Sequence, residues 1–144
     1  MKLKFLLLPL LGLFITFASC KKDSPAPTPT PTPTADANET MNNTINGGTW
    51  SISTFTANGT EIIQSVYQAI KMDYKKEDKT NGTSTWTLIE MGGATKIESH
   101  KYSIRNNGTE LQIDSDILSI SVSGGTMTLS GNLGGISTII KAKK

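Results

Sequence analysis

Eight short segments of this chain alternate apolar and polar residues with a period of two, and that pattern constrains the fold more than any other feature. Trp50 and Ile52 share one face of "TWSI", and Ile70, Met72 and Tyr74 share one face of "IKMDYK" with Lys71, Asp73 and Lys75 opposite. Trp86 goes with Leu88 in "TWTLIE", Tyr102 with Ile104 in "KYSIR", and Leu111 with Ile113 in "ELQID". Leu118, Ile120 and Val122 follow in "LSISVSG", Met127 and Leu129 in "TMTLSG", and Ile136 and Ile140 in "ISTIIKAK". Side chains of a strand point alternately to its two faces, so each segment predicts a half-buried antiparallel strand. Strands with one apolar face each must close on themselves to bury it.

The turns agree. Asn58-Gly59, Asn81-Gly82 and Asn107-Gly108 are each followed by Thr. Each also spells an Asn-x-Thr glycosylation acceptor, but Asn-Gly is first of all the pair for a tight hairpin, where both central residues need φ > 0. Gly92-Gly93, Gly124-Gly125 and Gly134-Gly135 punctuate the later segments. The chain is therefore expected to be all-β, an antiparallel up-and-down meander of about eight short strands forming a small, closed or nearly closed barrel. In "EIIQSVYQAIK" the apolar residues fall at helical spacing, which predicts a short helix over 61–68; a strand continuing the Asn58-Gly59 hairpin is the competing reading.

The N-terminal third has a different composition. Lys2 and Lys4 precede an uncharged run from Phe5 to Phe17, closed by the small residues Ala18 and Ser19. That is the layout of a secretory leader, and the run is too short to favour a spanning helix. Phe17-Ala18-Ser19-Cys20 resembles a bacterial lipobox, in which the cysteine is lipidated and becomes the first residue of the mature chain. Cys20 is the only cysteine, so no disulfide is expected and the domain must be held by its core. Acyl chains such as palmitate would anchor it, each buried methylene contributing about 0.8 kcal/mol. Lys21-Lys22-Asp23 resembles the export tags of Bacteroidetes surface lipoproteins, which implies the outer membrane and its cell-surface face.

Proline then stands at 25, 27, 29, 31 and 33. Alternating prolines fix φ and remove backbone donors, so the tract predicts a polyproline II spacer, about 34 Å long from Ser24 to Thr34. The expected organisation is a signal peptide over 1–19, a lipid-anchored Thr/Pro-rich linker over 20–43, and one barrel domain over 44–144. From Asn43 to Lys144 the chain has 10 Lys and Arg against 9 Asp and Glu. A near-neutral domain carries no electrostatic footprint for nucleic acid.

Gly48-Thr49-Trp50 matches the Gly-x-Trp that opens the first strand of lipocalins. Together with Tyr102-Ser103-Ile104, Leu111-Gln112-Ile113 and Thr126-Met127-Thr128-Leu129, it makes the chain resemble a Bacteroidetes-type small lipoprotein with a lipocalin-like domain. The resemblance implies structural roles for Gly48 and Trp50, with Trp50 at the plugged end, beneath Ile140 and near Lys141 as the basic residue of the last strand. It also implies a small apolar ligand, with Trp86, Tyr74, Tyr102, Met72 and Leu88 as candidate pocket lining.

Side chains suited to chemistry are few. His100, in "ESHKYS", is the only histidine and reads as a solvent-facing or structural residue. Without a second histidine or a free thiol a metal site is not expected, and neither is a cofactor. No nucleophile has a base beside it beyond His100, so the chain is not expected to be an enzyme. Asp114 and Asp116 in "IDSDI" could bind Ca²⁺ or act as acid and base, but read more simply as a polar turn. The expected function is a membrane-anchored lipoprotein, facing the surface or the periplasm and monomeric, whose barrel holds a small apolar ligand. The alternative is an interaction or structural lipoprotein with a filled barrel. An apolar pocket above about 300 Å³ would favour the first.

Overall fold

The computed structural model describes residues 36–144. The leader, Cys20 and the proline tract lie outside the described residues. A helix, α1 (Ala37–Ile45), precedes nine strands: β1 (Thr49–Ala57), β2 (Thr60–Glu61), β3 (Tyr67–Lys76), β4 (Asn81–Glu90), β5 (Thr95–Arg105), β6 (Glu110–Ile113), β7 (Asp116–Ser123), β8 (Thr126–Leu133) and β9 (Ile136–Lys143). All pairings between strands are antiparallel and nearly all are sequential, and β1 closes the sheet on β9 with Phe55 opposite Ile140. The result is a closed eight-stranded up-and-down barrel, with β2 as an extra strand hairpinned onto β1.

The period-two faces point inward as their sequences require, except at Ile136, which begins β9 at the barrel's end and is exposed. Ile70, Met72, Leu111, Leu118, Met127, Leu129 and Ile140 are all buried in the interior. A bulge between Ile52 and Thr54 shifts β1 by one residue, so that Phe55 rather than Thr54 packs against the core.

Helix α1 lies partly within the segment expected to be linker, and it is packed on the barrel rather than extended. Asp36 caps it by accepting from the backbone N–H of Asn38 at 2.8 Å. Its contacts seal one end of the barrel. The Trp50 indole Nε1–H donates to Ile45 O at 2.8 Å, and Asn42 Nδ2 donates to Asp78 O at 3.0 Å. The Tyr102 hydroxyl donates to Asn42 Oδ1 at 2.7 Å. A nine-residue helix is marginal alone in water, so these contacts are what hold it.

The expected helix over 61–68 is not there. Thr60–Glu61 form β2, Gln64 has a positive φ of 67°, and β3 begins at Tyr67. The Glu61 side chain accepts from the N–H groups of Phe55 and Ile63, which holds the connection as an irregular turn. The hairpin at Asn58-Gly59 forms as expected, with φ of 48° and 79°. Asn107-Gly108 lies in the short connection from β5 to β6, with φ of 54° and 79°. Asn81-Gly82 does not form a tip: both residues belong to β4, and the loop before them is organised by Asp78. Gly82 is required for packing, since a Cβ there would lie 2.5 Å from the Tyr102 hydroxyl oxygen.

Candidate functional site at the open end of the barrel

The end opposite α1 is formed by the β4–β5, β6–β7 and β8–β9 turns. Strand β6 has only four residues, and on its β5 side it pairs only with Tyr102–Arg105. The first part of β5 therefore has no β6 neighbour, and a pocket of about 240 Å³ opens in the wall there. Trp86 of β4, Glu98 and His100 of β5, Asp114 and Asp116 at the β6–β7 turn, and Ile113 and Leu133 line it.

The polar groups of the pocket form a chain of contacts. His100 Nδ1 lies 2.7 Å from Asp114 Oδ2, and Asp114 Oδ1 accepts from the Lys101 N–H at 3.1 Å. Because a carboxylate only accepts, His100 carries a proton on Nδ1. Nε2 is 3.6 Å from Glu98 Oε2, while Glu98 Oε1 is 2.5 Å from Lys96 Nζ. The His100 hydrogen bond holds the Asp114 carboxyl below the usual carboxylate range, and the Lys96 hydrogen bond does the same for Glu98. Asp116 Oδ2 accepts from the Gly134 N–H at 2.7 Å. The Trp86 and His100 rings meet edge to face, with centroids 6.0 Å apart.

Two buried groups on the inner face of β4 have no hydrogen-bond partner among the described residues: Trp86 Nε1 and Ser84 Oγ. Trp86 is 4% exposed and Ser84 is fully buried, and Ser84 stands opposite His100 in the β4–β5 ladder. An unsatisfied buried donor of this kind costs about 1–3 kcal/mol.

The residues singled out from the sequence separate into two groups. Trp86 lines the pocket. Tyr74 and Tyr102 instead stack edge to face at 5.3 Å near the α1 end, where burial pushes both phenols to higher pKa. Met72 and Leu88 are buried in the core. Trp50 is 1% exposed at the α1 end, and Gly48 precedes its strand. The basic residue beside Trp50 is Lys144, whose Nζ lies 4.7 Å from the ring centroid; Lys141 is exposed. The phase of β9 puts 140 and 142 inward and 141 outward, which rules Lys141 out of that role. Asp114 and Asp116 do form a polar turn, with Asp114 at φ 50°, but each also faces the pocket.

Glu98 is a site residue that the sequence does not single out, and His100 is one that it reads as solvent-facing or structural. Glu98, His100 and Tyr102 are alternate residues of β5, so the inward phase fixed by Tyr102 is the signal that places the other two on the inner face. Among the described residues, no group of three or more His, Cys, Asp or Glu is placed to hold a metal ion.

No family model and no curated protein matches the sequence. Among solved structures, the chain is similar to a de novo designed fluorescence-activating β-barrel, with a TM-score of 0.51 and 13% identity over 77% of this chain and 99% of that one. It is also similar to a lipocalin lipoprotein affecting virulence in Streptococcus pneumoniae, with a TM-score of 0.40 and 18% identity over 69% of this chain and 91% of that one. The first of these likenesses supports the small-barrel fold and nothing beyond it.

Proposed function

We propose that this chain is a lipoprotein of the outer membrane and cell surface, anchored through lipid on Cys20, whose barrel binds a small ligand at its open end and acts by binding rather than by catalysis. The observation that carries the binding reading is a pocket of about 240 Å³ lined by Trp86, whose buried Nε1 has no hydrogen-bond partner among the described residues. A ligand acceptor would satisfy that donor, while Ile113 and Leu133 offer apolar surface beside it. The volume falls short of the roughly 300 Å³ expected of a barrel that holds an apolar ligand, so only a smaller ligand fits. Its lining sets the apolar surface of Trp86, Ile113 and Leu133 beside the polar groups of Glu98, His100, Asp114 and Asp116, so the ligand proposed has a polar as well as an apolar part.

The anchoring reading rests on the leader and on Cys20 at its end. Metabolic labelling with a fatty acid tests it: Cys20→Ser should abolish the label, and equal labelling of variant and wild type contradicts it. The binding reading is tested by native mass spectrometry of the lipoprotein purified from its own cells. A bound mass released on denaturation is expected; a spectrum of the lipoprotein alone contradicts it. The filled core favours one other reading, an interaction or structural lipoprotein with no ligand, and the same spectrum separates the two.

A further inference from the structure

We infer that the open-end pocket selects a small organic cation, an ammonium that also carries an oxygen acceptor. This rests on the binding reading above and adds the chemical class of the ligand. Three carboxylates face the pocket, Glu98, Asp114 and Asp116. Asp114 has both oxygens engaged, by His100 and by the Lys101 N–H. Glu98 shares one oxygen with Lys96 and turns the other toward His100. Asp116 has no ion-pair partner among the described residues, and its one hydrogen bond, from Gly134, uses Oδ2 alone.

The pocket thus presents Asp116 and Glu98 Oε2 to the donors of an ammonium. Trp86 Nε1, buried with its residue and without a partner among the described residues, calls for one acceptor on the same molecule. The indole and imidazole rings add the electron-rich surface that organic cations favour. An anion meets uncompensated like charge in a site partly removed from water, and is disfavoured.

Three phenols of matched size test the charge preference: tyramine, 4-ethylphenol and 4-hydroxyphenylacetate, titrated calorimetrically into the full-length protein in detergent. Tyramine should bind about tenfold more tightly than 4-ethylphenol, the scale of one desolvated charge contact with an aromatic neighbour. 4-Hydroxyphenylacetate should bind most weakly. Asp116→Asn keeps an acceptor for the Gly134 N–H while removing the charge. It should lower tyramine affinity severalfold and leave 4-ethylphenol unchanged. Glu98→Gln gives the same readout should Asp116→Asn fail to fold. Equal binding of tyramine and 4-ethylphenol would overturn the cation inference while leaving a small-ligand site intact. Preference for the anion, or no binding of tyramine by a protein whose native spectrum shows another bound mass, would also overturn it. A bare native spectrum marks failure of the binding reading itself.

Discussion

The Lys144 ammonium lies 4.7 Å from the ring centroid of Trp50 and donates to Thr44 O and Asn46 O, each at 2.9 Å. One side chain thus ties the end of β9 to the first strand and to the C-terminal carbonyls of α1, where a cation is favoured by the helix dipole. Trp50→Ala should cost about 3–5 kcal/mol, the range for emptying a buried aromatic site. Lys144→Met should cost only about 0.5–1 kcal/mol, the scale of an exposed cation–π contact. Urea denaturation measures both. Equal losses for the two variants would contradict a core role for the indole.

Gly108 couples the β5–β6 connection to α1. Its φ is 79°, its N–H donates to Asn38 Oδ1 at 2.7 Å, and a Cβ would lie 2.8 Å from Ala37 O. A β-branched residue resists that backbone conformation and would also push the helix off. Gly108→Val should lower the melting temperature and raise hydrogen exchange through α1. An unchanged melting temperature would show that the connection tolerates a side chain.

Much of the barrel is legible in the sequence, because a half-buried strand writes its burial directly into alternate residues. The eight segments from "TWSI" to "ISTIIKAK" correspond to β1 and β3 to β9. Helix α1 escapes that reading although it carries a signal: Asp36 is followed three residues later by Glu39, a capping-box spacing, with Met41 and Ile45 one turn apart. The polar residues around those two mask their periodicity. The segment 61–68 misleads for the opposite reason. Its helical spacing is real, but Glu61 is drawn into side-chain bonds with Phe55 and Ile63, and tertiary structure overrides the pattern. The pocket is not legible at all, since it depends on β6 being shorter than β5, and strand lengths across a ladder are set by pairing.

Acid should destabilise the domain in a defined window. Asp78 is held at about 2, first by the Asn81 side chain and then by the Thr80 and Asn81 N–H groups. Glu77, Glu98 and Asp114 are shifted downward as well, by Lys101, Lys96 and His100. A carboxyl whose folded pKa lies below its unfolded value of about 4 contributes stability above that value and loses it as pH falls through the folded pKa. The melting temperature should therefore hold steady from neutral pH to about 5 and decline from about 4 to 2. Asp78→Asn should melt below wild type at neutral pH and approach it at the acid end. A gap that stays constant with pH would show that the Asp78 charge does not stabilise its loop.

The central claim is that a small ligand enters the open end and bonds to Trp86. The chain has two tryptophans, so its ¹H–¹⁵N spectrum has two indole Nε1–H signals, assignable with Trp86→Phe. The Trp50 donor is already bonded to Ile45 O beneath α1, and the Trp86 indole lines the pocket with its donor unpartnered among the described residues. Titration with tyramine should move the Trp86 signal to the position of a hydrogen-bonded indole while the Trp50 signal stays in place. A Trp86 signal that stays in place at saturating tyramine, or movement of the Trp50 signal instead, would contradict the account.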